Sequence, residues 1–367
     1  MMKLTRRAMI KDGFLAVSAG MIMPSIFSRG IASARAQSID GSRVAQMAGD
    51  RTLIVVQMAG GNDGLNTVIP FGDPLYHQMR PTLSIPDTSV IHLDTRLGLH
   101  PNLAPLKQLW DDGHLAIVEG VGYPNQSLSH FQAMDIWQTL DLNGTGNQGW
   151  LGKLVSGWVD QDGHPFKAMD IGVQTAQALA SISAPVPTIS SVNTYRIYPD
   201  PADVDNGNAR LQALMKLYNS YPETSPYAAL LDTTALSAQD GSKQLRNADA
   251  QYQAAVTYPQ GPFASKHGKA DNVVVMTWSE FGRRVEENGS QGTDHGTAAP
   301  MFVMGNTVNR GTFGEPPNLG NLDNNGNLKY TTDFRSVYAT ILDRWLGASS
   351  HDVLGGSFGS QNFLPQP

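Results

Sequence analysis

Four stretches of this 367-residue chain carry side chains suited to acid–base or metal chemistry. Gly60-Gly61-Asn62-Asp63 sets a carboxylate behind a glycine turn. Ser127-Leu128-Ser129-His130 offers two hydroxyls and an imidazole. Ser279-Glu280-Phe281-Gly282-Arg283-Arg284 offers a carboxylate and two guanidiniums, and Thr293-Asp294-His295-Gly296 an adjacent carboxylate and imidazole. Asp63, Glu280, Asp294 and His295 are hard oxygen and imidazole ligands, suited to one or two divalent ions such as Zn, Mn, Mg or Ca. A serine hydroxyl lying against such an ion loses its proton more easily and becomes a nucleophile; Ser127 is the first candidate and Ser129 the second. His130 would act as ligand or general acid. Arg283, or the backbone N–H groups of the glycine turn, would hold an anionic ester. The reaction implied is attack on phosphorus or sulfur. Each stretch also has a plain structural reading: GGNDG as a bend, Ser127 or Ser129 as a helix cap, Glu280 as the partner of Arg283 or Arg284.

These groups are far apart in sequence, so the fold must gather them. Thr52–Met58, Leu115–Gly122 and Asn272–Trp278 are rich in Val and Ile, nearly uncharged and without alternation, the pattern of strands buried on both faces. Phe166–Gly172 and Met301–Gly305 are two further apolar runs. Helical patterns lie between them. Asn102–Gly113 puts Leu103, Leu106, Leu109 and Trp110 on one face, and Thr332–Gly347 opens on a Thr/Asp cap and carries a Phe334, Val337, Ile341, Trp345 stripe. Ser129–Leu140 and Gly149–Val159 are read as helices too. The expected fold is an α/β three-layer sandwich around a mostly parallel sheet, residues 37–367, with 193–268 as a helical insertion or cap. In such sheets ligands bind beyond the carboxyl ends of the strands. If the strands are parallel, all four stretches meet on one rim.

Composition narrows the function. The chain has no cysteine, which excludes disulfides, thiolate metal sites and cysteine nucleophiles. Its formal charge of −6 at pH 7 disfavours nucleic acid as a partner. Residues 1–36 combine Arg6-Arg7, a short apolar stretch and Ala34-Arg35-Ala36. That is the order of a cleaved twin-arginine signal peptide, and it predicts an exported protein, periplasmic or extracellular, handled by the twin-arginine machinery. No later run is apolar for long enough to span a membrane. Asp200, Asp203 and Asp205 do not have EF-hand spacing, and Gly144–Gly149 matches a dinucleotide glycine pattern but follows a helix, so neither is taken as a site. His100 precedes a helix and could reach the rim, with capping or packing as the other reading, and Trp150, Trp158 and Trp345 are read as core.

The blocks GGNDGLN, SHF, SEFGRR and TDHG, with LGLHPNLAPLKQLW and TTDFRSVYATILDRWLG, resemble a family of twin-arginine-exported bacterial proteins of unknown function, grouped with the alkaline phosphatase and sulfatase superfamily. The resemblance covers most of residues 50–347. It implies an alkaline phosphatase-like fold and a metal-dependent hydrolase of phosphate or sulfate esters, with a small anionic ester as substrate. Two departures stand out. Glu280-Phe281 replaces the Asp-His that usually ends the superfamily strand. The upstream Asp/His pair four residues apart is matched only by Asp160 and His164, off the expected place. An exported binding or scaffold protein that keeps the fold without turnover is the alternative.

Overall fold

The computed structural model describes residues 51–143, 146–157, 167–181, 186–191, 241–248 and 270–366, with residues 195, 216, 238 and 250. Residues 1–36, read above as a signal peptide, nearly all of 193–268, Asp160, His164 and Trp158 lie outside the described residues. Residues 43–146 and 259–367 form one compact unit, and 147–258 fall in a second.

The larger unit is α/β. Its strands are β1 (Thr52–Gln57), β2 (Val68–Ile69), β3 (Ile91–His92), β4 (Gly98–Leu99), β5 (Leu115–Gly122), β6 (Val273–Trp278), β7 (Ala299–Met304), β8 (Gly311–Phe313) and β9 (Thr332–Asp333). Six make the main sheet, in the order β1-β6-β7-β5-β8 with β9 also on β5. β1 and β6 are parallel, as are β5 with β8 and β5 with β9; β7 runs antiparallel to both β6 and β5. All but β7 therefore point the same way. The short strands β2, β4 and β3 form a separate antiparallel sheet.

Burial follows strand position. All eight residues of β5 are buried, as its uninterrupted apolar run predicts, and Glu119 within it is neutralised by a two-point pair with Arg96 at 3.0 and 2.8 Å. β1 departs from the expectation of two buried faces. It ends the sheet, and Ile54 and Val56, two apart and so on one face, are 45% and 41% exposed. Of the two further apolar runs, Met301–Gly305 supplies β7. The Phe166–Gly172 run is not a sheet strand: among its described residues only Asp170 bridges, to Thr188, within the second unit. That unit also shows a helix, Trp150–Ser156, in which Trp150 is buried.

In the larger unit α1 (Gly64–Thr67) and α2 (Pro74–Met79) follow β1. α3 (Ala104–Asp111) lays Leu106, Leu109 and Trp110 on Leu115, Ile117 and Phe302 of the sheet, as its apolar stripe predicts. His100 caps the turn before it, its Nδ1 accepting from Asn102 N at 3.1 Å. α4 (His130–Thr139) and α5 (Phe334–Thr340, capped by Asp333) are locked together by Trp137. Its indole stacks on Trp278 of β6 at 5.3 Å and meets Phe334 at 4.5 Å. This contact fixes α4 over the end of β6, and His130 is the first residue of α4. Among the described residues no helix is long and apolar enough to cross a membrane.

Candidate active site

Because β1, β5 and β6 are parallel, the loops that leave them reach one rim. Because β7 is antiparallel, the loop that enters it starts from the same rim. The direction of β7 is thus what brings Asp294-His295 beside Glu280. The two loops are joined backbone to backbone: Gly296 N donates to Gly282 O at 2.9 Å, Arg284 N to Asp294 O at 3.0 Å, and Gly282 N to Thr297 O. The glycines of SEFG and TDHG are required by this approach. A Cβ on Gly282 would run into the Ala298 carbonyl, and one on Gly296 into the Arg283 backbone. Gly282→Ala and Gly296→Ala are each expected to cost about 1–3 kcal/mol by forcing the loops apart, read as a lowered urea midpoint with unchanged slope.

Glu280 is the centre of the rim. It is fully buried. Its Oε1 accepts from Gly60 N at 2.8 Å and from His130 Nδ1 at 2.7 Å, and its Oε2 accepts from Ser279 Oγ at 3.1 Å. Ser279 Oγ in turn accepts from Asn62 N at 2.9 Å, tying the glycine turn to the same strand end. Burial alone would raise the Glu280 carboxyl. The hydrogen bond from His130 and the backbone N–H groups of Glu280, Gly60 and Gly61 outweigh it and hold the group below its ordinary 4.5. The expected pairing of Glu280 with Arg283 or Arg284 is not what forms. An ionised Glu280 places the His130 proton on Nδ1 and leaves the Nε2 lone pair open, on a side chain 42% exposed.

His295 has the matching arrangement. Its Nδ1 donates to Leu128 O at 2.9 Å, and its ring meets His130 edge-on at 4.5 Å. Phe281 packs against both imidazoles, at 4.7 and 4.6 Å. The residue that stands in place of an expected histidine is therefore the apolar support of two imidazoles brought from other loops.

The other candidates lie on or near the rim, and most of them are engaged in hydrogen bonds of their own. Asp63 Oδ2 pairs with Arg80 at 2.7 Å. Arg283 donates through Nε to Gly61 O at 3.0 Å, through one terminal nitrogen to Thr293 O at 3.1 Å and through the other to Gly60 O, so its guanidinium braces the glycine turn. Asp294 Oδ1 accepts from Asn288 Nδ2 at 3.0 Å. Ser127 Oγ donates to Gln132 Oε1 at 2.9 Å and accepts from Ser129 N at 3.2 Å. Ser129 takes the position before α4 without a side-chain cap bond. Among the described residues no three His, Asp or Glu side chains are grouped to hold a metal ion.

Residues 265–357 match the model of a family described as Protein of unknown function (DUF1501). No curated protein matches the chain. The matched segment contains β6, Glu280, Arg283, Arg284, Asp294, His295 and β7. His130 and Asp63 lie before it.

Arg80 is not among the residues that the sequence singles out. A lone Arg before Pro81 gives no local signal, because its partners are Asp63, Asn66 and the carbonyls of Arg284 and Val285.

The Glu280 shift predicts a pH effect. A carboxyl whose folded pKa is depressed stabilises the fold fully above about 4.5 and loses that contribution as pH falls through the lower folded value. Glu280→Gln is therefore expected to lower the thermal midpoint near neutrality, with the gap to wild type closing on the acid side of 4.5. Parallel melts from pH 3 to 7 check it; an unchanged gap at the acid end would assign the effect to packing.

Proposed function

We propose that this chain is an exported hydrolase of phosphate or sulfate esters, with an alkaline phosphatase-like architecture, in which His130 is the acid–base group. The observation that carries the reading is the buried Glu280–His130 pair at the common rim of β1, β5 and β6, with Nε2 turned out of the pair. A buried carboxylate on Nδ1 fixes the tautomer and steadies the imidazolium that forms when Nε2 takes a proton. His130 then removes a proton from an attacking water as its oxygen bonds to phosphorus or sulfur. The ester oxygen leaves and takes the proton back from Nε2. Water is given this role because the Ser127 hydroxyl donates to Gln132.

Asp63 is paired with Arg80 and Glu280 with His130, which leaves the two imidazoles as the more open groups for a divalent cation. A divalent cation on the Nε2 atoms of His130 and His295 would take up the lone pair that the acid–base role uses, and so is the alternative to that role at this rim. Their Nδ1–H groups are already turned to a carboxylate and a backbone carbonyl, the usual supports of a metal-bound imidazole. A cation there would polarise the ester oxygens and lower the pKa of water. The second reading, a binding protein without turnover, draws on the absence of any hydroxyl bonded to either imidazole among the described residues.

Purified mature protein is to be assayed on aryl phosphate, aryl phosphodiester and aryl sulfate, with and without Zn, Mn, Mg and Ca. Turnover of one class that is lost in His130→Ala is the expected result. Folded protein inert on all three classes under every metal condition favours the binding reading.

A further inference from the structure

The rim has an open depression of about 540 Å³ lined by Leu128, Arg283, Arg284, Thr293, Asp294 and His295. Its charges are not equally available. All three nitrogens of the Arg283 guanidinium donate to backbone carbonyls. Arg284 is different. Its backbone is held, N–H to Asp294 O and C=O to Arg80, but its guanidinium makes no hydrogen bond among the described residues, and Nε is buried with no partner. Arg284 acts on Asp323 through space only, the Asp323 carboxylate accepting from Asn325 N, Asn327 N and Asn327 Nδ2. The Asp294 carboxylate lines the same depression and takes the Asn288 amide on one oxygen. A guanidinium with unfilled donors at the edge of a depression matches the oxygens of a tetrahedral dianion, two at a time. His295 adds an Nε2 atom free of any bond among the described residues, able to accept from the hydroxyl of a protonated oxyanion.

We propose that Arg284, with His295 beside it, is the anion-binding subsite of this rim, holding the non-bridging oxygens of a phosphate or sulfate group while Arg283 only braces the loop. This assigns the group that recognises the substrate of the hydrolase reading and rests on that reading for its biological meaning. The binding event itself can be tested without turnover.

The test is calorimetric titration of the mature chain with inorganic phosphate and with sulfate. Arg284→Met should weaken binding of the preferred ion by about tenfold or more, Arg284→Lys should restore part of it, and Lys107→Gln, on an exposed pair with Asp111, should change nothing. On wild-type protein, bound phosphate or sulfate should protect Arg284 from phenylglyoxal, read by peptide mass spectrometry; this arm needs no variant to fold. Equal modification with and without the ions, or Arg284→Met binding as tightly as wild type, overturns the proposal. So does wild-type protein that binds neither ion. Anion binding that depends on Arg284 in a protein inert on every ester keeps the subsite and removes the hydrolase.

Discussion

His130→Ala is expected to lower kcat on the protein's preferred ester by about 10²–10⁴-fold while leaving the fold intact. The loss follows because Nε2 of His130 is the lone pair at the rim whose ring is oriented by a buried carboxylate. The intact fold follows because the His130 side chain is 42% exposed, so its removal leaves no sealed cavity. Glu280→Gln should fall between the two: the amide can still meet His130, but it no longer stabilises an imidazolium, and Ser279 Oγ and Gly60 N must share a weaker acceptor. The order of rates should be wild type, Glu280→Gln, then His130→Ala. Steady-state rates with a melting curve for each variant decide it. His130→Ala turning over at the wild-type rate would end the acid–base assignment and move the chemistry elsewhere on the rim.

How much of this was legible in the sequence depends on what each residue's partner is. The strands were, because Leu115–Gly122 and Val273–Trp278 are apolar runs of strand length, and both take interior places in the sheet. The helix Phe334–Thr340 was, because its cap and stripe are local. The common rim was, because parallel strands share an end. The direction of β7 was not, since six apolar residues read the same in either sense, yet that direction is what delivers His295. The open face of β1 was not, because an edge strand and a central strand have the same composition. The roles of the charged residues were least legible. Arg283 and Arg284 are adjacent, but one is consumed by carbonyls of the glycine turn 222 and 223 residues away and the other is left open. Which of them is consumed depends on the path of a distant loop.

The same reasoning gives the largest expected effect on stability, at Arg80. Its side chain is completely buried. Nε donates to Val285 O at 2.8 Å, one terminal nitrogen to Asp63 Oδ2 at 2.7 Å and Asn66 Oδ1 at 3.1 Å, and the other to Arg284 O at 2.8 Å. The guanidinium thus ties α1 to the loop that follows Glu280, and Asp63 is its counterion. Arg80→Met keeps the stem but leaves a carboxylate and two carbonyls without their donor. The expected loss is about 3–5 kcal/mol in urea unfolding at neutral pH. Asp63→Asn should cost less, because the amide oxygen can still accept. The two changes should be strongly non-additive, with a coupling of about 0.5–3 kcal/mol in a double-mutant cycle. This cycle also separates the two roles open to Asp63. A counterion shows coupling to Arg80 and a stability loss. A metal ligand would instead show additive stability effects and a loss of bound cation in Asp63→Asn, with Arg80 left to hold its carbonyls alone. The 2.7 Å pair places the weight on the first, and the second Asp63 oxygen, buried without a partner, is the atom a cation would use.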